Sequence, residues 1–272
     1  MVTTAQTPQF DLDLVFDGID QLAAQRPVCA RIVAAADADD TDAKTLAGIL
    51  AGEVALTGRV MKLANSAYYG MRGRVASLQQ AVTVVGFTTV RTMATVALTD
   101  LDDESRLPEE FWTVGTGLAA AAARLAPLFD MRPADALCLG VLAQLGSALL
   151  YHHDRDNYTL VLAANPTFAG RRRAEADQYG MSSAVLTAAA LTRWEFPQSI
   201  VVPLERLDDR GSTAGGLLRA CYEIVSRLTM DGHRPAPIGP LTRGRIRDEE
   251  LAPMIYDVRN EAEGLRRLML GD

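Results

Sequence analysis

An all-α fold of two packed helical subdomains is what this chain predicts, and three features predict it. Its apolar content, 49% of 272 residues, leans on Ala, Leu and Val, while aromatics make up only 6%. Ala and Leu are the strongest helix formers among apolar residues. Apolar residues recur at helical spacing in most segments, as Leu56, Val60, Leu63 and Ala64 do. No segment shows the two-residue alternation of a half-buried strand, and no fixed-period repeat is present. A chain this long can bury a sizeable core as one large domain or two packed subdomains.

The elements follow in order. Residues 11–25 read as a helix with Leu14, Val15, Ile19 and Leu22 on its apolar side. Pro27 opens the next helix, where its missing N–H costs little. That helix ends in the acidic run 37–42, which lacks the Gly and terminal Glu of a calcium loop and reads as solvated loop and N-cap. Residues 45–52 form a short helix buried through Leu46, Ile49 and Leu50, and 53–65 a second one. Ser77-Leu78-Gln79-Gln80 is a capping box: the Ser hydroxyl accepts the N3 amide while Gln80 reaches back. Gly86 is placed to stop that helix in a left-handed conformation, and 88–98 form the next. The polar, acidic stretch 100–108 reads as a boundary.

Beyond it, 109–125 form an Ala-rich helix broken by Pro127. Residues 134–151 read as a single, nearly all-apolar helix central to the second half. Helices follow at 157–164, 181–194, 198–204 and 217–230, with a charged stretch at 171–179 and a loose turn at 211–216. Residues 231–240 hold three prolines and two glycines and read as a linker. The last helix spans 248–270, with Pro253 in its first turn or splitting it. The expected organisation is a flexible 1–10, a helical subdomain at 11–100, a second at 109–210, and a helical extension at 211–272.

Composition excludes several classes. A net charge of −7 argues against binding nucleic acid or anionic membrane over the whole surface. Residues 1–10 lack the charged region and apolar run of a signal peptide. No uninterrupted apolar run approaches the roughly 18 residues of a membrane span, so a cytoplasmic location without membrane partner is expected. Cys29, Cys138 and Cys221 have no metal or disulfide spacing and read as small core hydrophobes.

One stretch differs from the rest. Between Val54 and Thr99 there is no Asp or Glu, yet Arg59, Lys62, Arg72, Arg74 and Arg91 are present. At its centre lies Leu63-Ala64-Asn65-Ser66-Ala67-Tyr68-Tyr69-Gly70, a helix end with a polar pair followed by a basic loop. Asn65 and Ser66 are suited to satisfy backbone groups at that end and hold the loop in one shape.

This run, followed by Ser77-Leu78-Gln79-Gln80-Ala81-Val82 and Gly86, closely resembles the signature of the HDOD domain, a helical module of bacterial signalling proteins related to metal-dependent HD phosphohydrolases. Phe111-Trp112, Gly140-Val141-Leu142, Leu145-Gly146 and Trp194-Glu195-Phe196-Pro197 are similar to downstream family features, so the likeness covers about residues 10–210. The resemblance implies an HD-like fold for the second half. HD enzymes hold metal through a His, a His-Asp pair and an Asp, ligands that suit ions activating water and phosphoryl oxygens. Here the His-Asp pair falls at Ala143-Gln144, the preceding His near Val114 and a further His near Ser183. The resemblance therefore implies a degenerate HD motif, no metal cofactor and no catalysis: a pseudoenzyme.

Other chemistry is weaker. His152-His153 follow the apolar helix and point about 100° apart on a helix, a poor arrangement for sharing one ion. Ser182-Ser183 lacks a nucleophile elbow and reads as an N-cap. Arg171-Arg172-Arg173 reads as a solvated helix start or loop, with a contact to an anion as the competing reading. No phosphate-binding Gly motif is present, so nothing supports a nucleotide or cyclic dinucleotide ligand.

The expected function is regulatory binding to a protein partner, directly or on a ligand trigger. The candidate docking surface is Arg59, Lys62, Asn65, Ser66, Tyr68, Tyr69, Arg72, Arg74 and Arg91, together with the groove between the two halves. Two alternatives compete: a divergent metal-dependent phosphohydrolase, and a nucleic-acid regulator using the helix-turn-helix-like 77–98, whose second helix offers only Arg91 to phosphate.

Overall fold

Helix α1 (Pro27–Asp37) begins on its proline, and Cys29 and Ile32 face inward. Helix α2 (Ala43–Leu50) is capped by the Asp42 carboxylate, which accepts the Thr45 amide at 2.7 Å. It starts two residues earlier and ends two earlier than its apolar pattern implies. Helix α3 (Val54–Ala64) leads through a 3₁₀ turn at Ala67–Tyr69 to α4 (Leu78–Val85) and α5 (Phe87–Leu98). The computed structural model describes residues 26–38, 40–71, 73–99, 101 and 107–270. The expected helix at 11–25, the flexible 1–10 and most of the 100–108 boundary lie outside the described residues.

The capping box forms with a shift in register. Ser77 Oγ accepts the Gln80 amide at 3.2 Å, while Gln80 Oε1 accepts the amide of Ala76 at 3.2 Å. Gly86 has φ of 82° as expected, but ψ of 159° places it outside the left-handed helical region. That combination is essentially restricted to glycine. It turns the chain by 102° between α4 and α5.

The second half starts with α6 (Phe111–Leu125), on which every residue except Thr113 and Arg124 is buried. The helix does not stop at Pro127 but tightens into a 3₁₀ turn at Ala126–Phe129, closed by Asp130 in the left-handed region. The apolar stretch expected as one helix is two: α7 (Pro133–Leu142) and α8 (Leu145–His153), interrupted at Ala143-Gln144. Together they are long and apolar enough to match a membrane span, but 78% of that window is buried inside the protein, as in a core helix.

Helices α9 (Arg155–Ala164), α10 (Phe168–Tyr179), α11 (Ser183–Arg193) and α12 (Gln198–Glu205) complete the HD-like half. The charged stretch at 171–179 is thus the body of α10. Three further helices follow: α13 (Gly216–Thr229), the short α14 (Ile238–Thr242), which folds part of the expected linker, and α15 (Asp248–Leu270). Pro253 sits within α15 without ending it.

Among the described residues the fold is all helix and turn, with no strand. Helix α5 packs on α1 on one side and α7 on the other, and α6 packs on α7, α13 and α15. One apolar core therefore runs from Cys29 to Met269. Helix α5 is buried from Thr89 to Leu98, so it cannot lie in a nucleic-acid groove as the second helix of a helix-turn-helix would.

The joint between the halves is Arg91. Rather than lying on a basic surface as its sequence neighbours suggested, it is 4% exposed. Its guanidinium pairs with Asp37 of α1, donates to the carbonyl of Trp194, and reaches the Glu195 carbonyl at 3.4 Å. It also lies 4.3 Å from the centre of the Phe196 ring. Burial lowers its pKa while Asp37 opposes that shift. The cation thus bridges α1, α5 and the turn after α11.

Candidate functional site

The signature loop is built on Asn65, which caps the C-terminus of α3. Its amide nitrogen donates to the Met61 carbonyl at 3.2 Å and the Val75 carbonyl at 2.9 Å, and its amide oxygen accepts the Val75 N–H at 2.9 Å. One side chain therefore closes a ten-residue loop onto the helix end, and Val75 seats in the core beneath it. Replacement of Asn65 by alanine removes three bonds and leaves both Val75 backbone groups unpaired. It is expected to cost about 2–3 kcal/mol, read as a lower urea midpoint with an unchanged slope.

The two tyrosines of the 3₁₀ turn pack edge to face, with ring centres 5.0 Å apart. Tyr69 Oη lies 3.4 Å from both the Val85 carbonyl and Thr89 Oγ1, and burial pushes its phenol up to about 12. Tyr68 is shifted further upward, again chiefly by burial. Tyr68 Oη and Ser66 Oγ are buried without a hydrogen-bond partner.

Of the expected docking residues, Lys62 and Arg74 are exposed and Arg59 is half-buried. Arg72 lies outside the described residues, and Arg91 is the buried joint. The Asn65–Val75 bridge brings Arg74 back to the end of the helix that carries Lys62. A groove of about 330 Å³ does open beside the signature. It lies between Ser66 and Tyr68 on one wall and Asn260, Glu261, Gly264, Leu265 and Leu268 of α15 on the other. Its second wall thus comes from the C-terminal extension and not from the HD-like half. Arg124 of α6 holds that wall in place through Asp257 and through Glu261 at 3.2 Å.

The degenerate metal positions are all interior. Val114 and Ala143 are 1% and 2% exposed and offer no donor atom. Gln144 Nε2 donates to Tyr222 Oη at 3.0 Å. Ser183 sits in a network around Glu175, whose carboxylate accepts the Ser183 N–H and the Tyr158 hydroxyl, each at 2.7 Å. Gln144, Ser183 and Glu175 share a cavity of about 20 Å³ with Ser147, Arg171 and Tyr222, room for about one water. The donor set is two carboxylates, Glu110 and Glu175, of which the first is paired with Arg171. These residues do not fit the divalent centre of an HD enzyme. Among the described residues no three His, Cys, Asp or Glu converge to hold a metal.

The arginine run is not a solvated start. Only Arg173 is exposed; Arg171 pairs with Glu110, and Arg172, 8% exposed, pairs with Asp208 and lies over the Tyr222 ring at 4.9 Å. The sequence alone does not announce Arg172, Glu175, Tyr158 and Tyr222 as one cluster. The available signal was the spacing of Arg171 and Arg172 from Glu175, four and three residues, which puts all three on neighbouring faces of one helix. His152 and His153 end α8 with exposed side chains. Ser182 caps α11 through the Val185 amide. All three cysteines are buried thiols.

A family model described as the HDOD domain matches residues 22–209. Three solved structures share the fold. A Shewanella amazonensis protein provisionally named a phosphohydrolase aligns with a TM-score of 0.69 at 20% identity, over 94% of this chain and 97% of its own. A Marinobacter aquaeolei protein provisionally named a signal transduction protein gives 0.69 at 17%, over 89% of this chain and 58% of its own. A Geobacter sulfurreducens HDOD domain protein with unknown function gives 0.62 at 18%, over 89% and 90%. No curated protein matches the chain in sequence.

Proposed function

The chain belongs to the HDOD domain family, and from that premise we propose that it is a cytoplasmic bacterial signal-transduction module that acts by binding a protein partner and has no catalytic activity of its own. The observation that carries the reading is the state of the HD-like centre. Ala143 and Val114 are packed as core, Gln144 is engaged with Tyr222, and Ser183 is tied to Glu175. Side chains committed to packing and to one another support a structural role for this half. The name of the Marinobacter relative is in keeping with signalling; that of the Shewanella relative is not matched by a ligand set here.

The docking surface is the signature end of α3 and its loop. Asn65 fixes the loop's shape, and Lys62 and Arg74 give it positive charge within an otherwise acidic protein. An acidic patch on the partner is the complement, because opposite fields raise the encounter rate and fix orientation. The partner is to be isolated by affinity capture with the full chain, and its affinity measured. The double charge reversal Lys62→Glu with Arg74→Glu is expected to weaken binding at least tenfold without changing the melting temperature. Unchanged affinity would refute the docking surface. Hydrolysis of bis(p-nitrophenyl) phosphate in the presence of Mn²⁺ at enzymatic rates would refute the non-catalytic reading.

A further inference from the structure

A second cavity, of about 220 Å³, lies outside the signature and the degenerate metal centre, where α10 meets α13 and the segment after Met230. Part of its wall comes from residues 210–241, beyond the segment that the family model matches. Three guanidinium groups line it: Arg172, Arg210 and Arg219. Arg172 and Arg219 are each 8% exposed and rigidly held.

Arg219 is spent on backbone. Its nitrogens donate to the carbonyls of Arg206, Leu207, Asp209, Ser212 and Leu241. Carbonyl dipoles satisfy its N–H groups but leave its full charge in place, and it makes no ion pair among the described residues. Arg210 is exposed and likewise makes none. Two carboxylates share the cavity. Asp208 is matched by Arg172, with Nε to oxygen distances of 2.9 and 3.1 Å. Glu223 is matched from outside the cavity by Arg227 at 2.8 Å. The Asp209 carboxylate also acts on Arg219 and is met by Arg206 at 3.7 Å, so Arg172, Arg206, Arg210, Arg219 and Arg227 face three carboxylates and two positive charges are left over across the cluster.

We infer that this cavity is a binding site for a small phosphate monoester. The surplus of two positive charges matches the dianionic charge of the phosphate group, and Arg210, whose guanidinium is unengaged among the described residues, presents its donors in the fork that phosphate oxygens accept. Arg172 and Arg219 are immobilised by their own partners, so the buried wall is ordered before the ligand arrives. The volume sets the size of the organic part. Sites for drug-sized ligands span about 300–1,000 Å³; this one is smaller, which fits a phosphate with a short carbon body. The same surface also carries the segment at 231–240, since the Ala236 amide donates to Glu223 at 2.9 Å and the Ala236 carbonyl accepts from Arg227 at 2.7 Å.

The test uses the full chain and two probes, inorganic phosphate and glycerol 3-phosphate, with sodium acetate and sodium chloride at matched ionic strength. Binding is followed by calorimetry and by the melting temperature. Both phosphates are expected to bind at a single site and to raise the melting temperature, and acetate and chloride are not. Arg210→Gln, an exposed substitution checked for folding by circular dichroism, is expected to weaken phosphate binding at least tenfold, and Arg210→Lys to restore part of it. Arg74→Gln, on the signature loop, is expected to bind phosphate like the parent. Phosphate stabilisation no greater than that by chloride, equal binding of acetate, or undiminished binding by Arg210→Gln would each overturn the assignment.

Discussion

Replacing Arg91 with alanine is expected to lower the stability of the protein by about 3–5 kcal/mol, the range for removing one member of a buried ionic cluster. Three losses add. The Trp194 and Glu195 carbonyls lose their donor at the turn after α11, about 1–3 kcal/mol for each buried polar group left unpaired. The stack on Phe196 disappears, about 1 kcal/mol. Asp37 loses its partner, but it is far more exposed than Arg91 and water replaces much of that interaction. Asp37→Asn should therefore cost much less, about 1 kcal/mol. Arg91→Lys should recover only part of the loss, since a point charge cannot serve two carbonyls, a carboxylate and a ring at once. Urea unfolding of the three variants measures the order. A loss below 1 kcal/mol for Arg91→Ala would show that the halves are joined by apolar contacts alone.

The second large effect is expected where backbones touch. A Cβ on Gly140 would sit 2.4 Å from the Ala119 Cα, and one on Gly146 would sit 2.0 Å from the Ser183 carbonyl oxygen. Both obstacles are main chain and cannot swing aside. Gly140→Ala must push α7 from α6, and Gly146→Ala must push α8 from α11. Each is expected to destabilise by about 3 kcal/mol or more, the upper end for overpacked cores. Gly117 provides the comparison. Its added Cβ would meet a side chain, Val225 Cγ2, at 3.0 Å, and a rotamer change relieves that contact. Gly117→Ala should cost about 1 kcal/mol. Midpoints of thermal or urea unfolding for the three variants decide the ranking, and equal effects would refute the close approach of the backbones.

What the sequence discloses about this fold follows the reach of each interaction. The cap at Ser77 and the helix end at Asn65 rest on partners within ten residues, and both are legible in the chain. The family signature covers the same stretch, at the end of α3. The fate of Arg91 was not legible, because its partners lie 54 to 104 residues away and charge pattern carries no record of them. Arg172 differs for the same reason: Asp208, 36 residues on, takes it inward. The break at Ala143-Gln144 was hidden by composition, since residues on both sides are apolar and the helical period continues across it. The groove beside Ser66 was half legible. One wall is the signature, and the other is a helix whose position depends on Arg124 meeting Asp257 and Glu261.

Helix α15 carries a consequence for how this protein can be divided. It covers α6 and reaches α3, with Leu265 and Met269 beside Leu63, Thr116 and Ala119, and Leu251 and Val258 are buried further along it. A fragment cut at residue 209, where the family match ends, would lose that cover together with α13. The apolar flank of the most buried helix would then face water. The portion of the sequence that is shared with relatives and the portion that can stand alone in solution are thus different lengths of chain. Fusion or transplant experiments with this module therefore have to carry the helix that the family signature does not include.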